Sequence, residues 1–183
     1  MPYLFPLSLR GVGTLDVEAL SSYIYRLAIA HGVSTGRLLT HILSWYGADH
    51  PEAREGLSSI YSTGDLSIYI RPNHGTLQMV NLLAHTTGND RLRCGTFLAL
   101  QDALDRSVNV FSQRVRWCQA CMAEFHKLDD PGYFKLLWHL KAVTHCPTHG
   151  IKLVDKCAEC GSHQGSAAET STCRATTAMT PMT

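Results

Sequence analysis

The sequence predicts a mainly α fold with a small α+β region towards its C-terminal end. Three observations predict it. Through residues 1–110, apolar side chains recur at three- and four-residue steps between Gly, Ser and Pro punctuation, the signature of short amphipathic helices. Between Trp117 and Gly161, three pairs of metal-ligand residues stand two residues apart: Cys118-x-x-Cys121, Cys146-x-x-His149 and Cys157-x-x-Cys160. From Ser162 the chain turns small and polar, too poor in large apolar residues to order itself. The expected organisation is an N-terminal helix-turn-helix-like helical domain over 1–110, a zinc-ribbon-like domain over 111–161 and a flexible tail over 162–183.

Taken in order, residues 1–13 carry Pro2, Pro6, Gly11 and Gly13 and read as an irregular lead-in. Thr14 or Asp16 is placed to cap a first helix, with Glu18 near the positive end of its dipole. Val17, Leu20, Ile24, Leu27 and Ala28 form its apolar face, and His31-Gly32 ends it. Ser34 then caps a second helix carrying Leu38, Leu39, Ile42, Leu43, Trp45 and Tyr46, which Gly47 closes. The pair reads as an αα-hairpin. Pro51 starts a short helix through Leu57, Ser67–Ile70 reads as a strand or extended connector, and Arg71-Pro72 interrupts the chain. A third helix presents Leu77, Val80, Leu83 and Ala84 and stops at Gly88. Asn89 or Asp90 caps a fourth with Leu92, Cys94, Phe97, Leu98 and Leu100, Cys94 being read as a buried thiol. Helix, Thr87-Gly88-Asn89, helix is the layout of a helix-turn-helix unit.

In the late region, Val115-Arg116-Trp117 leads as a strand into the first pair, Tyr133–Leu140 reads as a short helix, and Ile151–Val154 leaves the second pair as a strand. A two-residue gap lets one tight turn aim two side chains at one ion. Zn²⁺ takes four N/S ligands tetrahedrally and needs two such turns. Cys118, Cys121, Cys146 and His149 supply a closed Cys₃His set, with Pro147 and Gly150 as turn formers. The third pair, Cys157 and Cys160, would hold a second zinc together with Cys173 and His163; otherwise that second site lacks its last ligand. So small a unit has little core without metal, and its folding is expected to depend on zinc. Trp117 and Trp138 are expected to pack around the site, and His126, His139 and His145 to lie on the surface or behind the ligands.

Composition narrows the function classes. Net charge is +1 over 183 residues, which does not announce a nucleic-acid binder. From Arg114 onward the balance is mildly basic, which favours modest contact with a DNA backbone. The opening Met1–Pro6 lacks the basic start and apolar run of a signal peptide, and no apolar stretch approaches the roughly 20 residues of a membrane span. Six of the seven cysteines fall late, in metal-ligand spacing, so a reducing cytoplasm is expected rather than a disulfide framework. Catalysis is not expected. A catalytic zinc keeps one position open, whereas here four protein ligands fill the set. His50-Pro51-Glu52 spells the H-x-E of zinc deaminases, but Trp117 stands where their second motif needs Pro, and Cys118 and Cys121 already have nearer partners.

These residues resemble a known family. RWCQAC, then CPTHGIKL, then CAECG are similar to the R-W-C-P-x-C, C-P-x-H-x-x-x-L and C-x-x-C-G signature of TniQ proteins. VEALSSYIYRLAIAHG resembles the family's E-S-L-x-S-W-L-x-R-L-A-x-x-N-G segment, and LLAHTTGNDRLRCGTF a later one; the order is kept over about residues 1–161. Gln119, Ala19 and His31 depart from the pattern, and the last C-x-x-C is reduced to Cys173. The resemblance implies a non-catalytic adaptor that links target-site recognition in DNA transposition to the element's AAA+ ATPase regulator. It implies zinc ligands at Cys118, Cys121, Cys146, His149, Cys157 and Cys160, contact with target DNA directly or through a targeting complex, and allows a homo-oligomer. The chain is expected to be of the short adaptor type. The competing expectation is a helix-turn-helix and zinc-ribbon transcription regulator, which needs a basic recognition helix; Asn89–Leu100 offers only Arg91 and Arg93.

Overall fold

The computed structural model describes residues 3–49, 66–104, 110–128, 130–158, 161 and 163. The His50-x-Glu52 triplet, the short helix expected from Pro51, Cys160, Cys173 and nearly all of the tail lie outside them. The described chain is mainly helical, and its β-pairing is confined to isolated antiparallel bridges.

Helix α1, Leu20–Ala30, starts later than the capping residues suggested, and no side chain caps it. Residues 17–19 are extended instead and paired with 134–136: Leu136 N–H donates to Val17 O at 2.8 Å and Ala19 N–H to Phe134 O at 2.9 Å. A donor left over at the helix start is thus satisfied by another part of the chain. Thr14 serves a turn, donating to Gly11 O (2.8 Å) and accepting from Asp16 N–H (3.1 Å). Gly11 is required there: its φ is +63°, and a Cβ would lie 2.4 Å from Asp16 O. Glu18 does not sit at the dipole end in solvent. It is fully buried and takes a two-pronged bond from Arg26, at 2.7 and 2.6 Å.

Leu20, Tyr23, Ile24, Leu27 and Ala28 form the buried face of α1. Its end is a Schellman turn, Val33 N–H to Ala28 O and Gly32 N–H to Ile29 O, with Gly32 left-handed at φ +65°. Ser34 accepts from Arg37 N–H (3.3 Å) to open α2, Thr35–Asp49, which buries Leu38, Leu39 and Ile42. Gly47 does not close it; the helix runs on to Asp49. Leu66–Ile70 is a 3₁₀ turn rather than a strand, burying Tyr69 and Ile70. Asn73 caps α3, His74–Thr87, by accepting from Thr76 N–H (2.8 Å), and Gly88 ends it at φ +71°.

The expected fourth helix is absent as one element. Leu92–Gly95 and Leu98–Leu100 are 3₁₀ turns, followed by the single-turn α4, Gln101–Leu104. Gly95, Thr96, Phe97 and Leu98 are all buried, a consecutive run that a one-faced surface helix does not bury. Phe97 N–H leaves the local ladder and donates to Ile70 O (2.8 Å). Gly95 passes so close to Glu18 O that a Cβ would meet it at 2.8 Å. The second half of the helix-turn-helix layout is therefore not one helix, and Cys94 is exposed rather than buried.

Towards the C-terminus, α5, Gln119–Lys127, starts within the first ligand pair and carries Cys121, where no helix was expected. Of the helix expected over Tyr133–Leu140, only the 3₁₀ turn Leu136–His139 forms. Residues before it are held extended by the pairing with 17–19. Phe134 and Trp138 pack on the cluster around the cysteines, and Leu136 between them enters the core of α1–α3. Trp117 and Val154 exchange backbone hydrogen bonds, both 2.9 Å, placing the expected strands 115–117 and 151–154 as a single bridge.

Candidate metal centre

Two turns bring the ligands together. Cys118 is the N-cap of α5: its sulfur accepts from Cys121 N–H at 3.4 Å, which turns both thiols to one side. Around Cys146, its N–H donates to Ile151 O and its carbonyl accepts from Gly150 N–H, both 2.8 Å, with Gly150 left-handed at φ +66°. This loop lifts His149 over its own cysteine. Cys118, Cys121, Cys146 and His149 then present four ligand atoms within 4.8 Å of one another.

The spacing fits a tetrahedral zinc. With Zn–S about 2.3 Å and Zn–N about 2.0 Å, tetrahedral angles require S···S separations near ~3.8 Å and S···N near ~3.5 Å. The Cys121 and Cys146 sulfurs are 3.7 Å apart, and His149 Nδ1 stands 3.5, 3.3 and 3.7 Å from the sulfurs of Cys118, Cys121 and Cys146. A disulfide would need sulfurs at about 2.05 Å. The three cysteines are buried and His149 is half-buried, so the set is closed by protein on all but its histidine side.

Residues behind the ligands orient and tune them. His149 offers Nδ1 to the sulfurs, and its Nε2 is held at 3.0 Å by Glu124 Oε1 from α5, which also raises the imidazole pKa. Burial pushes Cys121 up to about 12, whereas Cys146, despite burial, is brought down to about 6 by hydrogen bonds from His149 and from the backbone at Thr148. Lys135 reaches the second ligand loop. It is buried, pairs with Asp16 at 2.6 Å and approaches Thr148 Oγ1 at 3.4 Å. Burial works against its charge, but Asp16 and Cys121 outweigh that and hold its pKa above the ordinary value.

Trp117 and Trp138 pack around the cysteines as expected. His126 and His145 are exposed, and His139 is buried. Cys157 is buried, and its carbonyl accepts from Gly161 N–H (2.9 Å) with Gly161 at φ +67°, the same turn as Cys146–Gly150. Its expected co-ligands Cys160 and Cys173 lie outside the described residues. His163 faces Asp155 O at 2.9 Å and Arg114. Among the described residues, the Cys118 group is the one cluster suited to a metal ion. Glu124 and Lys135 were missed in the sequence. Glu124 is one helical turn beyond Cys121, a signal available once the knuckle is seen to start a helix. Lys135 carries no such signal, since lysines are almost never buried unless paired.

Among the described residues no helix is long and apolar enough to cross a membrane. No curated protein matches the chain. A family model named TniQ matches residues 9–153, a span that holds all four candidate ligands, Glu124, Lys135 and both sides of the 17–19 and 134–136 pairing. That match covers most of the chain and agrees with the motif resemblance, and the chain belongs to the TniQ family.

Proposed function

We propose that this protein is a non-catalytic adaptor in DNA transposition that binds one structural Zn²⁺ and links target-site recognition to the transposon's AAA+ ATPase regulator. The observation that carries this is the family match, which spans both the helical part and a complete Cys₃His set. TniQ is a family associated with transposition, and a four-ligand, mostly buried set serves structure rather than a reacting water. In this reading the helical domain, 1–110, and the zinc domain, 111–161, together present the partner surface in the cytoplasm. Cys157, Cys160 and Cys173 belong to a second, less complete metal site.

The test is recovery of the AAA+ ATPase encoded beside the gene by pull-down, with and without target DNA. Binding is expected, and Cys146→Ser is expected to weaken it by misplacing the surface around the site. No ATPase binding under either condition would end the adaptor reading. The regulator reading would instead require a specificity ratio of roughly a thousand or more for one DNA site. The broken segment Leu92–Leu100, with no continuous recognition helix, supports the adaptor over the regulator.

A further inference from the structure

We infer that residues 3–5 form a pH-sensitive flap beside a cleft between α2 and α3, and that neutral His31 is the latch that holds it. The flap bonds across the chain rather than within a helix. Tyr3 N–H and Leu4 N–H both donate to Thr86 O, at 2.8 and 3.0 Å, and Phe5 N–H donates to His31 Nε2 at 3.1 Å. His31 is the C-cap of α1, and its ring centre lies 4.8 Å from that of Phe5. Further on, Leu7 O accepts from Tyr23 Oη and Asn89 Nδ2, at 3.1 and 2.9 Å, which anchors the base of the flap.

Tyr3 and Leu4 form one wall of a cleft of about 250 Å³, whose other walls are His41, Ile42 and Trp45 of α2 and Thr86 of α3. Tyr3 meets Trp45 edge-on, with ring centres 4.0 Å apart. Tyr3 and Phe5 nevertheless remain more than half exposed, so apolar burial contributes little to holding the flap and each hydrogen bond counts. Of the bonds that hold it, the one to His31 is the one that a proton can cut.

A ring nitrogen accepts a hydrogen bond only while it carries no proton, so His31 is neutral here with its proton on Nδ1. Protonation turns Nε2 into a donor facing a donor, and the bond is lost. Burial lowers the His31 pKa, although a helix C-terminus ordinarily favours a charged imidazole. The latch is therefore closed above the ordinary histidine value of about 6.5 and opens as the pH falls through the lowered one. The ionisable groups on the neighbouring elements are Tyr3 on the flap, Arg37 and His41 on α2 and His85 beside Tyr3 on α3, while Arg26 on α1 is taken by Glu18. Among the described residues no charge enters the His31 shift, whose single cause is burial. The family pattern has Asn at this position, which does not titrate, so the switch belongs to this chain.

The experiment is NMR of the full chain between about pH 5 and pH 8, following the Phe5 amide, the His31 ring protons and the Tyr3 to Trp45 ring contact. In wild type the Phe5 amide and the His31 ring are expected to titrate together, with one midpoint below about 6.5. Solvent exchange at Phe5, corrected for its intrinsic pH dependence, should quicken about two- to tenfold across that step, the worth of one hydrogen bond. The Tyr3 to Trp45 contact should weaken with it. His31→Gln sets an amide oxygen where Nε2 stands and does not titrate, so it is expected to keep the slow exchange and lose the step. His31→Leu removes the acceptor and is expected to exchange at the fast rate throughout. Separate midpoints in wild type, a step surviving in His31→Gln, or slow exchange in His31→Leu would each overturn the inference. So would a Tyr3 to Trp45 contact unchanged across the step, since the flap would then not move. Should His31→Leu fail to fold, wild type and His31→Gln decide by the same outcomes.

Discussion

At the scale of single residues, the site divides into ligands and the groups that aim them, and each makes a separable prediction. Cys146→Ser removes one thiolate from a set with no spare ligand and is expected to abolish stoichiometric zinc in protein purified without added metal. Glu124→Ala is expected to weaken zinc about tenfold, at the mild end for such partners because the carboxylate is 59% exposed. Chelator competition measures both. The pH dependence follows from the thiols. Without metal, Cys121 is pushed up to about 12, so at neutral pH it holds a proton that zinc must displace. Affinity should therefore rise with pH, by one logarithmic unit per pH unit from this thiol. Cys146, brought down to about 6, adds a second such unit only below about pH 6. A zinc affinity flat between pH 6 and 8 would contradict this assignment.

At the scale of elements, α1 is held by a buried ion pair rather than by a cap. Glu18 accepts from Arg26 twice and from Arg10 N–H (3.2 Å), while Arg26 also donates to Ser8 O (3.0 Å). Glu and Arg at these positions are part of the motif through which the chain resembles its family, and here they fasten the lead-in to the helix. Removing one partner leaves a buried unpaired charge. Glu18→Gln is expected to cost roughly 3–5 kcal/mol in urea unfolding, and Glu18→Leu with Arg26→Met together distinctly less than the single change. Equal losses would mean that the pair itself is not what the single variant disrupts. Gly95→Ala tests the neighbouring contact. Its new methyl would meet the Glu18 carbonyl at 2.8 Å, and backbone on both sides has little room to yield. A destabilisation of about 1–3 kcal/mol is expected.

At the scale of the whole molecule, the core of α1–α3 and the cluster around the cysteines are stitched along residues 17–19 and 134–136. Leu136 belongs to the first core, and Phe134 and Trp138 pack with the second cluster. Phe134 N–H also donates to Ser22 Oγ (3.0 Å) within α1. Chelating the metal should therefore loosen more than the cysteine loops. Amide exchange is expected to accelerate at Ala19 and Leu136 as well as at Cys121 and Cys146, while the interior of α3, bonded within itself, stays protected. Exchange unchanged at Ala19 on metal removal would show that the stitch holds without the cluster.

The sequence by itself determined that Cys118, Cys121, Cys146 and His149 converge, because C-x-x-C and C-x-x-H are local: two residues of turn suffice to bring the side chains together, and Pro147 and Gly150 mark the turn. It determined that α1, α2 and α3 exist for a similar reason, since a repeating apolar face and a Ser34 or Gly88 at the boundary act within a few residues. What it did not contain was where backbone donors go when they leave the local ladder. Ala19 bonding to Phe134 delays α1, Phe97 bonding to Ile70 breaks the segment after Asn89, and pairing with residues 17–19 holds 134–136 extended where apolar spacing read as helix. Each is a partnership between residues far apart in the chain, and long-range hydrogen bonds override local propensity wherever burial rewards them. Glu124 and Lys135 were decided the same way. Their chemistry is ordinary on a surface, and only the fold, by setting one against His149 and the other against Thr148, makes them part of the site.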